Sequence, residues 1–277
     1  MKTLKGKVAA ITGAGSGIGR ALALGLAAER CQLAISDINE SELRETEQLI
    51  RNQANVSVHI VDVADRDQVY RYADDVVAKH GGVDMIINNA GVVLADTVEG
   101  TSYDDFQWIM GINLWGVIYG TKAFLPYLQR RPEGHIVNIS SVNGITPMPY
   151  GCAYNATKFA IRGFTETLAQ ELRGTSIKAS VVHPGGIRTN IARKARYYRH
   201  VNPSHDRQEF ISVFEKNAMT TAEKAARIII SGIKSDKVRI IVGPDARLCD
   251  LMTRTFPVVT LWLVDSIVHK IPKLQKS

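Results

Sequence analysis

Cysteine is scarce in this chain: three among 277 residues, Cys31, Cys152 and Cys249, odd in number and far apart. A disulfide framework is thereby excluded as the source of stability, and no Cys or His spacing suits a metal site. Reduced thiols in a cytoplasmic protein, with no bound metal, are expected. Low-complexity runs, tandem repeats and a linker-like stretch are also missing, which leaves room for one domain. The opening Met-Lys-Thr-Leu-Lys-Gly-Lys has neither a long apolar stretch nor a small-residue cleavage site, so no signal peptide is expected. The longest strongly apolar run near the end, 256–264, contains Pro257 and meets Asp265 at once, far short of the roughly 20 residues that span a bilayer. Acidic residues run short in the last third. Residues 1–172 carry 15 Lys/Arg against 19 Asp/Glu, whereas 173–277 carry 19 against 8, a local net charge of +11. Such asymmetry fits an anionic partner or a solvated basic surface about equally. No zinc-finger, helix-turn-helix or RNA-binding signature accompanies it, so no nucleic acid is expected.

What is present is a regular alternation. Short apolar, β-branched runs predict strands over 8–11, 33–35, 56–61, 85–88, 135–140, 179–183 and 239–242. Helical period predicts helices over 18–29, 42–52, 67–80, 103–128 (with a break allowed), 153–172 and 222–230. Ser102 and Asp105 form the start signal of the fourth helix. Several strands are apolar throughout, as strands covered on both faces should be. The fold class is therefore α/β: a doubly wound parallel sheet of about seven strands in a single domain. Two stretches, 190–218 and everything after Gly243, break the rhythm.

The first strand runs into Thr12-Gly13-Ala14-Gly15-Ser16-Gly17-Ile18-Gly19 and then an Ala/Leu-rich helix. Glycines there let backbone N–H groups and the helix N-terminus approach a pyrophosphate. Glycine clusters also mark ordinary turns. The strand before, the helix after, and Asp37 18 residues beyond Gly19 favour a dinucleotide site. A carboxylate accepts hydrogen bonds from both adenosine ribose hydroxyls and repels a 2′-phosphate, so NAD is favoured and NADP less so. Arg20 is the nearest cation that bears on that choice.

Tyr154 and Lys158 are four residues apart, on one helix face. A phenol is a poor proton carrier at neutral pH unless a cation stabilises its phenolate. Chance can place such a pair on any helix. However, Ser140-Ser141, Asn88-Asn89-Ala90-Gly91 and the segment His183-Pro184-Gly185-Gly186-Ile187-Arg188-Thr189 all follow strands, at the sheet edge where open α/β folds bind ligands.

Together these motifs resemble the short-chain dehydrogenase/reductase family over about residues 5–245. The resemblance implies a Rossmann-fold dehydrogenase domain (1–245, with 190–218 a substrate-side insertion) and a C-terminal extension (246–277). It implies hydride exchange between NAD(H) and a secondary alcohol or its carbonyl counterpart. Tyr154 would move the proton, Lys158 would lower its pKa and bind the nicotinamide ribose, and Ser141 (Ser140 the runner-up) would hold the substrate oxygen. Asn113 would hold a water in the proton relay. Gly13, Ser16, Gly17, Ile18, Gly19 and Asp37 fall at the dinucleotide-loop and ribose positions, and Asp62 and Val63 at the adenine pocket. Asn89, Ala90 and Gly91 would border the cofactor, and Pro184, Gly185, Ile187 and Thr189 would form the nicotinamide pocket. Family members commonly form dimers or tetramers through the helices near 103–128 and 153–172, so a homodimer or homotetramer is expected.

Substrate choice is expected to rest on 142–152, which is largely apolar, on 190–218, and on the chain after Gly243. The basic run Arg193-Lys194-Ala195-Arg196-Tyr197-Tyr198-Arg199-His200 reads as an acid clamp, a lid or a solvated helix; His200 and His205 read as surface residues. For the extension, packing on the domain, a subunit interface and a peripheral membrane contact rank in that order.

Overall fold

The computed structural model describes residues 1–198 and 207–270; Arg199, His200 and His205 lie outside the described residues. Seven strands form one sheet: β1 Val8–Thr12, β2 Gln32–Asp37, β3 Val56–Ile60, β4 Met85–Asn88, β5 Gly134–Ile139, β6 Ile177–Pro184 and β7 Arg239–Val242. Their order is β7-β6-β5-β4-β1-β2-β3, and every neighbouring pair is parallel. The chain winds out from β1 to β3, then returns across the first strand to build the other half. At that reversal, between β1 and β4, the connections leave in opposite directions and open a crevice at the strands' C-terminal ends.

Helices cover both faces, which explains the continuous apolar strands. Ala9 and Ile11 of β1 pack towards α1 (Gly17–Ala28), α2 (Glu40–Ile50) and α8 (Ala222–Lys234), whereas Val8 and Ala10 pack towards α3 (Arg66–His80) and α5 (Gly116–Leu128). The same alternation sends Met85 and Ile87 of β4 to one face and Ile86 to the other. Helix starts are set by side chains that accept orphan backbone N–H groups: Asn39 for α2, Asp65 for α3 and Thr221 for α8. Ser102 does so for α4 (Tyr103–Met110), accepting from Asp105 N–H at 3.1 Å.

The expected break in the fourth helix is a five-residue π-turn, Gly111–Trp115, between α4 and α5. α6 (Cys152–Glu171) follows β5. In the 190–218 stretch the basic run forms no helix. It turns and then pairs Arg196–Tyr197 with Leu94–Ala95, and α7 (Arg207–Asn217) comes only later. Its cations are matched locally: Arg193 by Glu215, Lys194 by Glu42, and Arg196 by Asp105 while its guanidinium stacks 3.7 Å over Trp108. After β7, α9 (Pro244–Thr255) lies against the domain: Arg239 pairs with Asp250, and Thr253 hydrogen-bonds Thr146. α10 (Pro257–Lys270) follows and leaves Val258, Val259, Leu261 and Trp262 exposed. Among the described residues no helix is long and apolar enough to cross a membrane.

Candidate active site

The glycine loop occupies the end of β1. Gly13 has φ +64°, the left-handed region that costs a side chain, and a Cβ there would meet the Ala90 backbone at 2.7 Å. Position 19 is tighter still, since a Cβ would run into the Gly13 carbonyl oxygen. Asn89 staples this loop to the end of β4: its amide donates to the carbonyls of Thr12 and Gly13, 3.0 Å each, while Thr12 Oγ1 accepts from the N–H groups of Asn89 and Ala90. Ser16 takes the N-cap position of α1, but its side chain makes no cap hydrogen bond and no acid lies in the first turn. The positive end of α1, with orphan N–H groups at Gly17, Ile18 and Gly19, is thus open to an anion. Such a cradle fits a dinucleotide pyrophosphate.

Asp37 ends β2 beside this loop. Its carboxylate accepts from Gly15 N–H at 2.9 Å and from Asn39 N–H at 3.0 Å, and it stays partly exposed. Each oxygen keeps acceptor capacity for a ribose hydroxyl. Arg20 is spent elsewhere, on Thr46, the Gly15 and Glu42 carbonyls and the Glu45 carboxylate. After β3, Asp62 accepts from Ala64 N–H, and the half of Val63 that faces α5 meets Gly116. At the other end of the crevice Pro184 closes β6, and Gly186 N–H donates to Asp245 of α9. Ile187 is buried, and the Thr189 methyl lies over Gly17, so the two loops touch across the crevice.

The proton-handling groups sit between these loops. Ser140 Oγ donates to the Lys158 carbonyl at 2.7 Å and is tied to the α6 backbone. Ser141 Oγ accepts from Asn143 N–H at 3.1 Å and adjoins the Tyr154 phenol, so it is the serine available to a ligand. Burial pushes the Tyr154 phenol up, with the Ser141 hydroxyl opposing. That direction differs from the one expected of the lysine alone, because both groups share one desolvated space. The Lys158 ammonium stands 5.5 Å from the Tyr154 ring centroid, donates to the Ile139 carbonyl at 3.1 Å, and is only 5% exposed. Burial pulls its pKa down to about 8. Asn113 lies on the π-turn. Its Oδ1 accepts from Val92 N–H, and its Nδ2 donates to the Val92 carbonyl and to Thr157. The side chain therefore fixes the turn, and the π geometry frees a backbone carbonyl from the i+4 ladder for other donors.

Three supporting roles escaped the sequence reading. Thr157, between the tyrosine and the lysine, clamps Asn113. His183 Nδ1–H donates to the Ser141 carbonyl at 2.9 Å, and burial lowers its pKa to about 4, holding it neutral. Asn155 bridges Asn143 and the Met148 carbonyl, which ties down the apolar 142–152 wall. For the first and third, proximity to the Tyr/Lys pair was the available signal; for His183 it was its place at a strand end.

Lys158 has a measurable cost. Unfolded, its ammonium returns to an ordinary value of 10.5, so between about pH 8 and 10.5 the unfolded chain binds the extra proton. Below that window the native state carries the full penalty of a buried charge, and rising pH relieves it. Lys158→Met is expected to stabilise the cofactor-free chain by up to about 3 kcal/mol at pH 7. The gain shrinks as pH climbs through the window. Urea titrations at pH 7 and pH 10 check this; equal stability of the two proteins at pH 7 would mean that the ammonium is not desolvated.

An open doubly wound sheet, a glycine cradle at its switch point and a buried lysine beside a tyrosine define an oxidoreductase. The chain belongs to the short-chain dehydrogenase family, whose family model matches residues 7–199. It is 43% identical over 258 residues to a Mycobacterium tuberculosis protein named as oxidoreductase SadH, covering 92% of each chain. It is 33% identical over 244 residues to the 3-oxoacyl-[acyl-carrier-protein] reductase of Thermotoga maritima, covering 87% of this chain and 95% of that one. Among solved structures, a short-chain dehydrogenase/reductase from Burkholderia phymatum in complex with NAD superposes with a TM-score of 0.85 at 30% identity, covering 92% of this chain and 95% of that one.

Proposed function

We propose that the protein interconverts a hydrophobic secondary alcohol and its carbonyl partner using NAD(H). The observation that carries this reading is the buried, carboxylate-free Lys158 ammonium 5.5 Å from the Tyr154 ring, with the Ser141 hydroxyl adjoining the phenol. A protein has little reason to desolvate a cation there unless a phenolate or an anionic oxygen needs it. When bound, NAD supplies the hydride acceptor. The Gly13–Gly19 loop and the open α1 N-terminus would hold its pyrophosphate, and Asp37 its adenosine ribose. Asp62 and Val63 would border the adenine ring, and Pro184, Gly185, Ile187 and Thr189 would line the nicotinamide.

Within that frame the chain's own residues manage one proton and one oxygen. Ser141 donates a hydrogen bond to the substrate oxygen and orients it towards Tyr154. Tyr154, as phenolate, takes the hydroxyl proton while the carbinol carbon gives up hydride; in reduction it returns that proton to the forming alkoxide. Lys158 stabilises the phenolate, and the π-turn at Asn113 leads the proton outward. The Thr189 methyl near Gly17 brings the nicotinamide-side loop up to the glycine loop. The apolar wall at 142–152 favours a hydrophobic substrate. Exposed Trp115 and Phe159, on the helices named for self-association, support a homodimer or homotetramer.

The test is a panel of secondary alcohols of graded chain length, cyclic alcohols, diols and hydroxysteroids, with NAD reduction followed by absorbance. Turnover of at least one apolar class is expected. Silence across the panel and across the matching ketones with either reduced cofactor would indicate a dinucleotide-binding sensor instead. Greater efficiency with NADPH on ketones would favour a carbonyl reductase.

A further inference from the structure

We propose that the protein docks on anionic lipid bilayers through the surface built by α8, the start of β7, α9 and the first turns of α10. Two separate observations meet there. The first is charge. Lys224 and Arg227 on α8, Lys237 before β7 and Arg247 on α9 line one open concavity of about 770 Å³. None of these four makes an ion pair among the described residues, whereas Arg239 in the same concavity is spent on Glu166 and Asp250. The cations at 193–196, by contrast, are each matched by a carboxylate.

The second is apolar surface running on from the same helix. Leu248 and Leu251 project from α9 beyond Arg247, and α10 continues the patch with Val258, 77% exposed, and Trp262, 65% exposed. Phe256, at the corner between the helices, is 63% exposed. Large apolar side chains gathered this way are costly in water and mark a surface meant to be covered.

The charge decides what covers it. A two-fold contact centred on this concavity would bring one copy's Lys224, Arg227, Lys237 and Arg247 against the other's, and like charges would repel. An anionic lipid plane satisfies both features at once: headgroups meet the cations, and the interfacial hydrocarbon takes up Phe256, Val258 and Trp262. The geometry allows only this shallow mode. α10 has 14 residues, about 21 Å at 1.5 Å per residue, and exposed Asp265 limits burial to its first two turns. The docking face is also joined to the active-site crevice, because α9 holds Gly186 N–H through Asp245 and Thr146 through Thr253.

Flotation of the full chain with phosphatidylcholine vesicles, with and without about 30% phosphatidylserine, reads the proposal directly. Wild type is expected to float with the anionic vesicles at low salt, to release at high salt, and to stay down with phosphatidylcholine alone. The Arg227→Glu/Lys237→Glu variant is expected to lose about tenfold or more in binding, and Val258→Asp/Trp262→Ser a similar amount, with circular dichroism melts like the wild type. Fluorescence of the bound protein should shift to the blue, and Trp262→Phe should abolish the shift. Failure of wild type to float at low salt would overturn the proposal, and so would charge-reversal variants that bind as before. A concentration-dependent mass that Val258→Asp/Trp262→Ser converts to a smaller species, without flotation of the wild type, would assign the face to a second copy instead.

Discussion

Replacing Tyr154 by Phe is expected to lower turnover by about 10²–10⁴-fold, the range general acid–base groups contribute, while NAD affinity stays nearly unchanged. The substitution removes one oxygen and no packing atoms, and the ring keeps its place on α6 beside Leu94 and Ala153. Lys158 keeps its bond to the Ile139 carbonyl, Asn113 its clamp on Thr157, and His183 its hold on Ser141, none of which involves the phenol oxygen. Apart from the phenol's hydrogen bond with Ser141, the loss therefore falls on the proton transfer and appears in kcat and kcat/KM together. Single-turnover kinetics with chemistry rate-limiting check it. A variant that keeps more than about a tenth of wild-type turnover would place the proton on another group and remove Tyr154 from the mechanism.

Cofactor choice is the second large effect, expected to be on the order of 10²-fold or more in favour of NAD over NADP. A 2′-phosphate at the adenosine ribose would come within a few ångströms of the Asp37 carboxylate. Two cations near this loop do not offset it. Arg20 is held by Thr46, two carbonyls and Glu45, and Lys194 by Glu42. Asp37→Ala is expected to lose NAD affinity and gain some for NADP; adding Arg at the exposed Ile38 position extends the gain, since guanidinium pairs well with phosphate. Because Asp37 also accepts from Gly15 and Asn39 N–H, Asp37→Asn separates loss of charge from loss of loop support. Steady-state efficiencies with both cofactors decide the matter. Equal or better efficiency of wild type with NADP would mean that Asp37 does not face the ribose.

The strands were legible because each carries its own evidence. A run such as 85–88 is apolar on both faces, and the next residues are the polar groups that a C-terminal sheet edge exposes. The helix start at Ser102 follows from a side chain that can accept a backbone N–H three residues on. The π-turn at Gly111–Trp115 was not legible beyond a suspected break, since no local residue pattern demands an extra backbone unit. It is stabilised from outside, by Val92 and by Thr157, which is 44 residues from Asn113. Likewise, 42 residues separate His183 from the Ser141 carbonyl it holds. The basic run at 193–196 looked available for a ligand because its partners Glu215, Glu42 and Asp105 are distant along the chain.

By itself, then, the sequence determined the strand and helix periods, the glycine loop, the acid at position 37 and the Tyr154/Lys158 spacing, all of which are properties of neighbouring residues on one element. The tertiary structure alone decided that Ser140 binds backbone while Ser141 adjoins the Tyr154 phenol, that Arg20 and Lys194 are neutralised, and that Lys224, Arg227, Lys237 and Arg247 line one concavity. Those outcomes depend on which distant groups meet and which lose their water, and burial and pairing across elements have no signature in local spacing.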